Sequence, residues 1–279
     1  YIINIYADTQ CSNTLTLYFY QTNLSKELPA SNTETIDQIH ANTAFTRTCQ
    51  TNGEIVIFRN EEWFKVFLHE TMHTFGLDFS GINSNFCTKH MLSLFHVESD
   101  VNLYESYTEF WARTINVLFC SYNYIKQNTG IKGTLTDYNK LNKLAHHFMN
   151  IEIKFSFFQM VKILQFMDLK YNDIITINLQ GKYKENTNVL AYYIITTILI
   201  NNYQPFLSWC NKNNTSLLQF GKQHDDQYEF CKFINSKYKN KQMLDNVKCM
   251  EEIFDETNKN KNKNKQLLNT LRMTACEIN

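Results

Sequence analysis

The pentapeptide His69-Glu70-Thr71-Met72-His73 holds the residue types that hydrolytic metal chemistry needs. Residues four apart on a helix share a face, one turn apart. His69 and His73 can therefore offer two imidazole nitrogens to one divalent cation. Glu70, projecting beside them, can work on a water held at that cation. By composition alone the HExxH pattern arises in roughly one chain of this size in a hundred, so its surroundings decide its meaning.

A catalytic zinc takes a third protein ligand and keeps one position open. Asp78, His90, His96 and Glu105 follow the motif. Glu105 and Glu109 lie one turn apart in Tyr104-Glu105-Ser106-Tyr107-Thr108-Glu109-Phe110-Trp111-Ala112, on a face that adjoins an apolar stripe. Two like charges so placed repel by roughly a few tenths of a kcal/mol on an exposed helix and by more when buried. A divalent cation nearby would remove that cost. The plainer alternative is a solvated acidic patch near a helix N-terminus. Glu105 is the expected third ligand. Glu109 is expected behind it, orienting a ligand histidine through the other ring nitrogen.

These side chains need two helices and a sheet to position them. Residues 1–7, 14–20 and 54–59 are rich in β-branched and aromatic residues and predict strands. The last of these could be an edge that pairs with an extended peptide. Residues 35–45 suggest a short helix, and Asn52-Gly53 a turn. Asn60 is the expected N-cap of the motif helix, with Glu61 and Glu62 in its first turn and Gly76 as its stop. That helix is apolar around much of its circumference, so it should be buried. Residues 81–87 read as a loop and residues 88–96 as a short helix. Ser99 or Asp100 should cap a helix over residues 101–122. A glycine-containing linker is expected at residues 128–136. Beyond it lie helical stretches at 137–150, 156–169, 186–202, 204–210, 225–238 and 243–254, a solvated Asn/Lys run at 258–265, and a last helix at 266–276.

Composition narrows the class. The 279 residues are 43% hydrophobic and 19% charged, enough to bury a sizeable core. Net charge is zero, so no nucleic-acid partner is suggested. No apolar run reaches the ~20 residues of a membrane span. The eight cysteines form no CxxC pair and read as reduced, packed thiols, with disulfides left possible by their even number. The compartment is not readable, though the cytoplasm is slightly favoured. Oligomeric state is equally unreadable.

HETMH followed by ESYTEFWA resembles the gluzincin zinc metallopeptidases, the toxin-type members especially, over residues 50–120. The resemblance implies one Zn2+ per chain held by His69, His73 and Glu105, with Glu70 as general base, and an oxyanion donor among tyrosines or histidines. Tyr104, Tyr107, His96, His146 and the Tyr192-Tyr193 pair are candidates for that donor. Metzincin peptidases instead place the third ligand six positions after the second histidine. Gly76 fits their glycine, but that position holds Phe79, and Asp78 misses it by one residue. The helical second half also resembles, in style, metallopeptidase-like proteins of large DNA viruses.

The expected fold is α+β: a zincin-like catalytic part over residues 1–125, then a mainly helical domain or lower lobe over residues 135–279. The expected activity is that of a zinc endopeptidase acting on peptide or protein substrates through a zinc-bound water activated by Glu70. Alternatives are a non-peptidase zinc hydrolase of amidase or deformylase type, or a non-catalytic metal-stabilised interaction module. A purely structural metal site would have no need of Glu70.

Overall fold

The computed structural model describes residues 1, 3–129, 133–176 and 181–278. Its architecture is α+β: a small mixed sheet, a helix bearing HExxH, a helix bearing Glu105, then a mostly helical remainder. The sheet comprises β1 (Thr14–Thr22), β2 (Ala44–Thr46) and β3 (Asn52–Arg59), in the order β1-β3-β2. β1 runs parallel to β3, and β2 antiparallel to it. Along β3, Gly53, Ile55, Ile57 and Arg59 point inward, the period of two that the sequence displays.

β3 leads into α2 (Trp63–Thr74). Val66 packs with Ala44, Ile55 and Ile57 under the sheet, while Leu68 and Met72 enter the main core. That core also takes Tyr107, Phe110 and Trp111 of α4 (Leu103–Thr129). The motif helix is thus sandwiched between sheet and α4, which explains its apolar circumference. Gly76, at φ +64°, ends it. The Gly76 N–H donates to the His73 carbonyl at 3.0 Å and the Leu77 N–H to that of Met72 at 2.9 Å, a Schellman closure. A side chain at Gly76 would also meet Cys11 Sγ at 2.7 Å.

The remaining elements are α1 (Gln38–Ala41), α3 (Asn85–Leu94), α5 (Leu135–Phe166), α6 (Tyr171–Thr176), a π-helical segment Leu190–Ile195, α7 (Thr196–Asn201), α8 (Tyr203–Asn213), α9 (His224–Lys237), α10 (Lys241–Lys259) and α11 (Lys265–Asn269). No helix among the described residues is long and apolar enough to cross a membrane.

Several expectations need correction. Ile3–Tyr6 is a 3₁₀ turn, not a strand; β-propensity needs a neighbouring strand, and this segment has none. The helix expected over residues 35–45 shrinks to α1, because Asn42 turns extended to enter β2. Asn52-Gly53 makes no turn but starts β3. Gly53 is small because the end of α2 passes close by, 2.8 Å from where its Cβ would lie to Thr74 Cγ2. β3 is central rather than an edge. Asn60 does not cap α2; Glu62 occupies that position with φ 58°. Ser99 does not cap α4, since its hydroxyl donates to Glu185. α3 and α4 start at Asn85 and Leu103, α4 runs on to Thr129, and the two helices expected over 137–150 and 156–169 are one, α5. The middle of the expected linker, residues 130–132, lies outside the described residues. Cys11 and Cys49 form a disulfide, Cα atoms 4.5 Å apart, while the other six cysteines are free. Disulfides persist mainly in oxidising compartments, so the cysteines no longer argue for the cytoplasm.

The last expected helix, over 266–276, ends at Asn269. Its continuation is irregular rather than helical because four successive N–H groups find carboxylates instead of helical carbonyls. Met273 and Thr274 donate to Glu62 Oε1 at 2.7 and 2.6 Å, and Ala275 and Cys276 to Glu152 Oε1 at 2.8 and 2.7 Å. Glu62 also pairs with buried Lys26 at 2.7 Å. Glu62→Ala strands Lys26 and frees this terminal strap, so it should destabilise the protein by about 3–5 kcal/mol in denaturant unfolding. Burial pushes the Glu62 carboxyl up, but Lys26, Lys65 and Arg272 outweigh it and hold it down at about 2 against an ordinary 4.5. A depressed folded-state value gives stability that is fully present above pH 4.5 and lost as pH falls toward about 2. Glu62→Gln should flatten that loss; an acid-unfolding slope equal to the parent's would refute the contribution.

Candidate metal centre and active site

α2 places His69 and His73 one turn apart, and α4, packed beside it, brings Glu105 to both. His69 Nε2 lies 3.1 Å from His73 Nε2 and 3.1 Å from Glu105 Oε2; His73 Nε2 lies 3.3 Å from the same oxygen. Among the described residues, these three form the one group of His, Cys, Asp or Glu donors able to share an ion. Tetrahedral zinc, with bonds of about 2.0–2.1 Å, separates neighbouring donors by about 3.3 Å, and two imidazoles with one carboxylate are a usual catalytic donor set. The residues fit the metal.

Behind the donors stand two carboxylates. Glu109 Oε2 lies 3.0 Å from His69 Nδ1, and Asp78 Oδ2 bonds His73 Nδ1. A neutral imidazole donating its Nδ1 proton presents a bare lone pair at Nε2. Two such lone pairs and an anionic oxygen then converge, an arrangement that a cation relieves. The surrounding carboxylates favour positive charge at the two rings, a proton or a metal ion alike. Burial lowers both imidazoles, but Glu105 and Glu109 outweigh it at His69, and Asp78 and Glu105 lift His73 well above its ordinary value. Burial raises Glu105, yet His73 and His69 hold it far below the carboxylate range. At Glu70 burial wins over the two histidines, and its carboxyl is raised.

Glu109 is fully buried and has its own counter-ions. Lys65 Nζ lies 3.0 and 3.1 Å from its two oxygens, and Arg113 Nε lies 2.8 Å from Oε1. Arg113 in turn donates to Ser156 Oγ of α5 at 2.6 Å. Asp78 reaches His73 because the turn at Gly76 folds the chain back on the last turn of α2. Ser80 donates to the other Asp78 oxygen from its N–H at 3.1 Å and from its hydroxyl at 2.7 Å.

The donor cluster opens into a cleft of about 450 Å³, lined by Glu70, Tyr104 and Tyr192 beside the donors, by Ala44, Phe45 and Thr46 of β2, and by Asn186, Thr187 and Asn188. Tyr104 and Tyr192 set their rings edge-on to His73 and His69, each 5.9 Å between centroids. Tyr192 sits in the π-helical segment, all six residues of which are buried. Tyr192 meets the cleft, while Tyr193 donates its hydroxyl to the Leu271 carbonyl of the terminal strap.

Other candidates stand apart. His90 stacks on Phe86, and the His96 N–H donates to the Ile174 carbonyl at 2.7 Å. Tyr107 donates to the Leu218 carbonyl at 2.9 Å, and His146 Nδ1 meets Tyr203 Oη at 2.6 Å. None of these four lines the cleft. Sequence reasoning missed the contact of Asp78 with His73. The readable signal was a carboxylate two residues past a helix-ending glycine. It also missed Lys65 and Arg113, each four residues from a site residue on its own helix and of the sign that Glu109 requires. The whole arrangement has the geometry of a zincin-type, zinc-hydrolase active centre. Compared with protein-family models, curated proteins and solved structures, the chain finds no match.

Proposed function

We propose that the protein is a zinc-dependent peptidase, an endopeptidase of gluzincin type, holding one Zn2+ through His69, His73 and Glu105. The observation that carries the reading is the convergence of His69 Nε2, His73 Nε2 and Glu105 Oε2 at the floor of an open cleft that Glu70 also lines. Bound zinc supplies Lewis-acid polarisation of the scissile carbonyl and acidifies the attacking water. Glu70 takes the proton of that water on its carboxylate and returns it to the leaving amine. Glu109 and Asp78 hold the Nδ1 protons, so both rings keep Nε2 turned to the metal.

Tyr192, which lines the cleft with Glu70 and sets its ring edge-on to His69, is the oxyanion donor in this reading; Tyr104, edge-on to His73, is the competing candidate. The cleft also explains why a peptide suits it. β2 is a sheet edge lining the cleft, and an extended chain can add to it by backbone pairing. Residues 1–125 form the catalytic part in this reading, and residues 135–279 the lobe that adds Asn186, Thr187, Asn188 and Tyr192 to the cleft lining.

Three outcomes test it. Zinc-loaded protein should cut internal bonds of a quenched-fluorescent peptide library, and Glu70→Gln should keep about one zinc per chain while losing about 10²–10⁴-fold in rate. A Glu70→Gln protein as active as the parent refutes the mechanism. Glu105→Ala should shed zinc under dialysis, whereas Asp78→Ala should weaken retention by only about 10–100-fold; the reverse order would make Asp78 the ligand. Tyr192→Phe should lower kcat by about 10²–10³-fold with KM and zinc content little changed, and Tyr104→Phe should cost much less. Equal losses would remove the assignment to Tyr192.

A further inference from the structure

We infer that Lys65 is a positioning residue of the metal centre, acting through Glu109 on His69. The inference rests on the reading of His69 as a ligand. Lys65 lies one turn before His69 on α2 and is buried, as is Glu109. Its ammonium bridges both Glu109 oxygens, at 3.0 and 3.1 Å, and the Oε2 so held is the atom 3.0 Å from His69 Nδ1. One carboxylate of α4 therefore clamps two residues of a single turn of α2.

The geometry decides which oxygen faces the histidine. Lys65 contacts both oxygens and cannot distinguish them. Arg113 contacts Oε1 alone, at 2.8 Å, and leaves Oε2 turned to His69. Charge-assisted bonds of this kind are short and directional. Together they fix the plane of the Glu109 carboxylate, and through it the plane of the imidazole. A buried carboxylate without Lys65 would keep Arg113 only, and would be free to swing with it. The direction of the His69 Nε2 lone pair would then spread, and metal affinity would fall. An ordinary buried ion pair has no such reach; it holds the fold and leaves the metal alone.

The experiment measures Zn2+ affinity by competition with a chromophoric chelator, and the visible spectrum of the Co2+-substituted protein. Lys65→Met should weaken Zn2+ binding about 10–100-fold, the range for losing support behind a ligand, and should shift the Co2+ bands. Glu109→Gln should do the same, and Lys65→Met added to Glu109→Gln should cost little more, because the two act as one unit. Arg113→Gln loosens the same carboxylate from α4 and should move affinity in the same direction, which keeps the test open if Lys65→Met does not fold. His69→Ala is the reference. If it loses zinc while Lys65→Met and Arg113→Gln bind zinc like the parent, the positioning role is overturned and the metal site stands. Additive losses in the double variant overturn it too. If His69→Ala keeps zinc, the metal-site reading itself falls.

Discussion

Two imidazole Nε2 atoms 3.1 Å apart, beside a carboxylate oxygen, are the constraint around which this protein is built. Two bare lone pairs do not sit so close unless something positive, a proton or a metal ion, comes between them. Everything nearby serves to keep them there. Glu109 and Asp78 fix the rings from behind, Lys65 and Arg113 fix Glu109, and Ser80 fixes Asp78. The sheet presses α2 from one side and α4 supports it from the other. Of the buried carboxylates here, Glu109 is matched by Lys65 and Arg113, and Asp78 by His73 and Ser80.

The chemistry of the motif was readable because helical periodicity places it. Four-residue spacing puts His69 and His73 on one face whatever the tertiary structure does, and the same spacing pairs Glu105 with Glu109 beside an apolar stripe. The α+β architecture was readable for a similar reason: inward-facing Ile55 and Ile57 keep the strand period, and Gly76 marks the end of α2. What stayed hidden depends on contacts between distant segments. The Cys11–Cys49 bond joins residues separated by 38 positions, with no local signal. Among sixteen tyrosines the sequence offers Tyr192 only within a list of candidates, and it is the packing of its ring against His69 in the cleft that distinguishes it from Tyr193.

The failures at element ends share one cause. At Asn60, Ser99 and the final helix local preference loses to the competing demand of a carboxylate: Glu62, the half-buried Glu185, and Glu62 with Glu152. Glu62 takes a left-handed backbone at the α2 entrance and directs its carboxylate to Lys26 and the terminal strap. Ser99 is drawn to Glu185. The strap gives its N–H groups to Glu62 and Glu152 in place of a helix. Propensity is a weak prior wherever a fully buried carboxylate lacks partners of its own.

That strap has a consequence for how the chain comes into being. Glu62, at the entrance to the motif helix, is satisfied by groups 211 and 212 positions further on. Contacts of such long range form late, because closing the loop costs entropy before any bond rewards it. On the ribosome the helix bearing His69 and His73 can form early, but its entrance stays unsecured until residues 273 and 274 have emerged some two hundred positions later. Synthesis from N- to C-terminus thus carries its own order of assembly: helix first, lock afterwards.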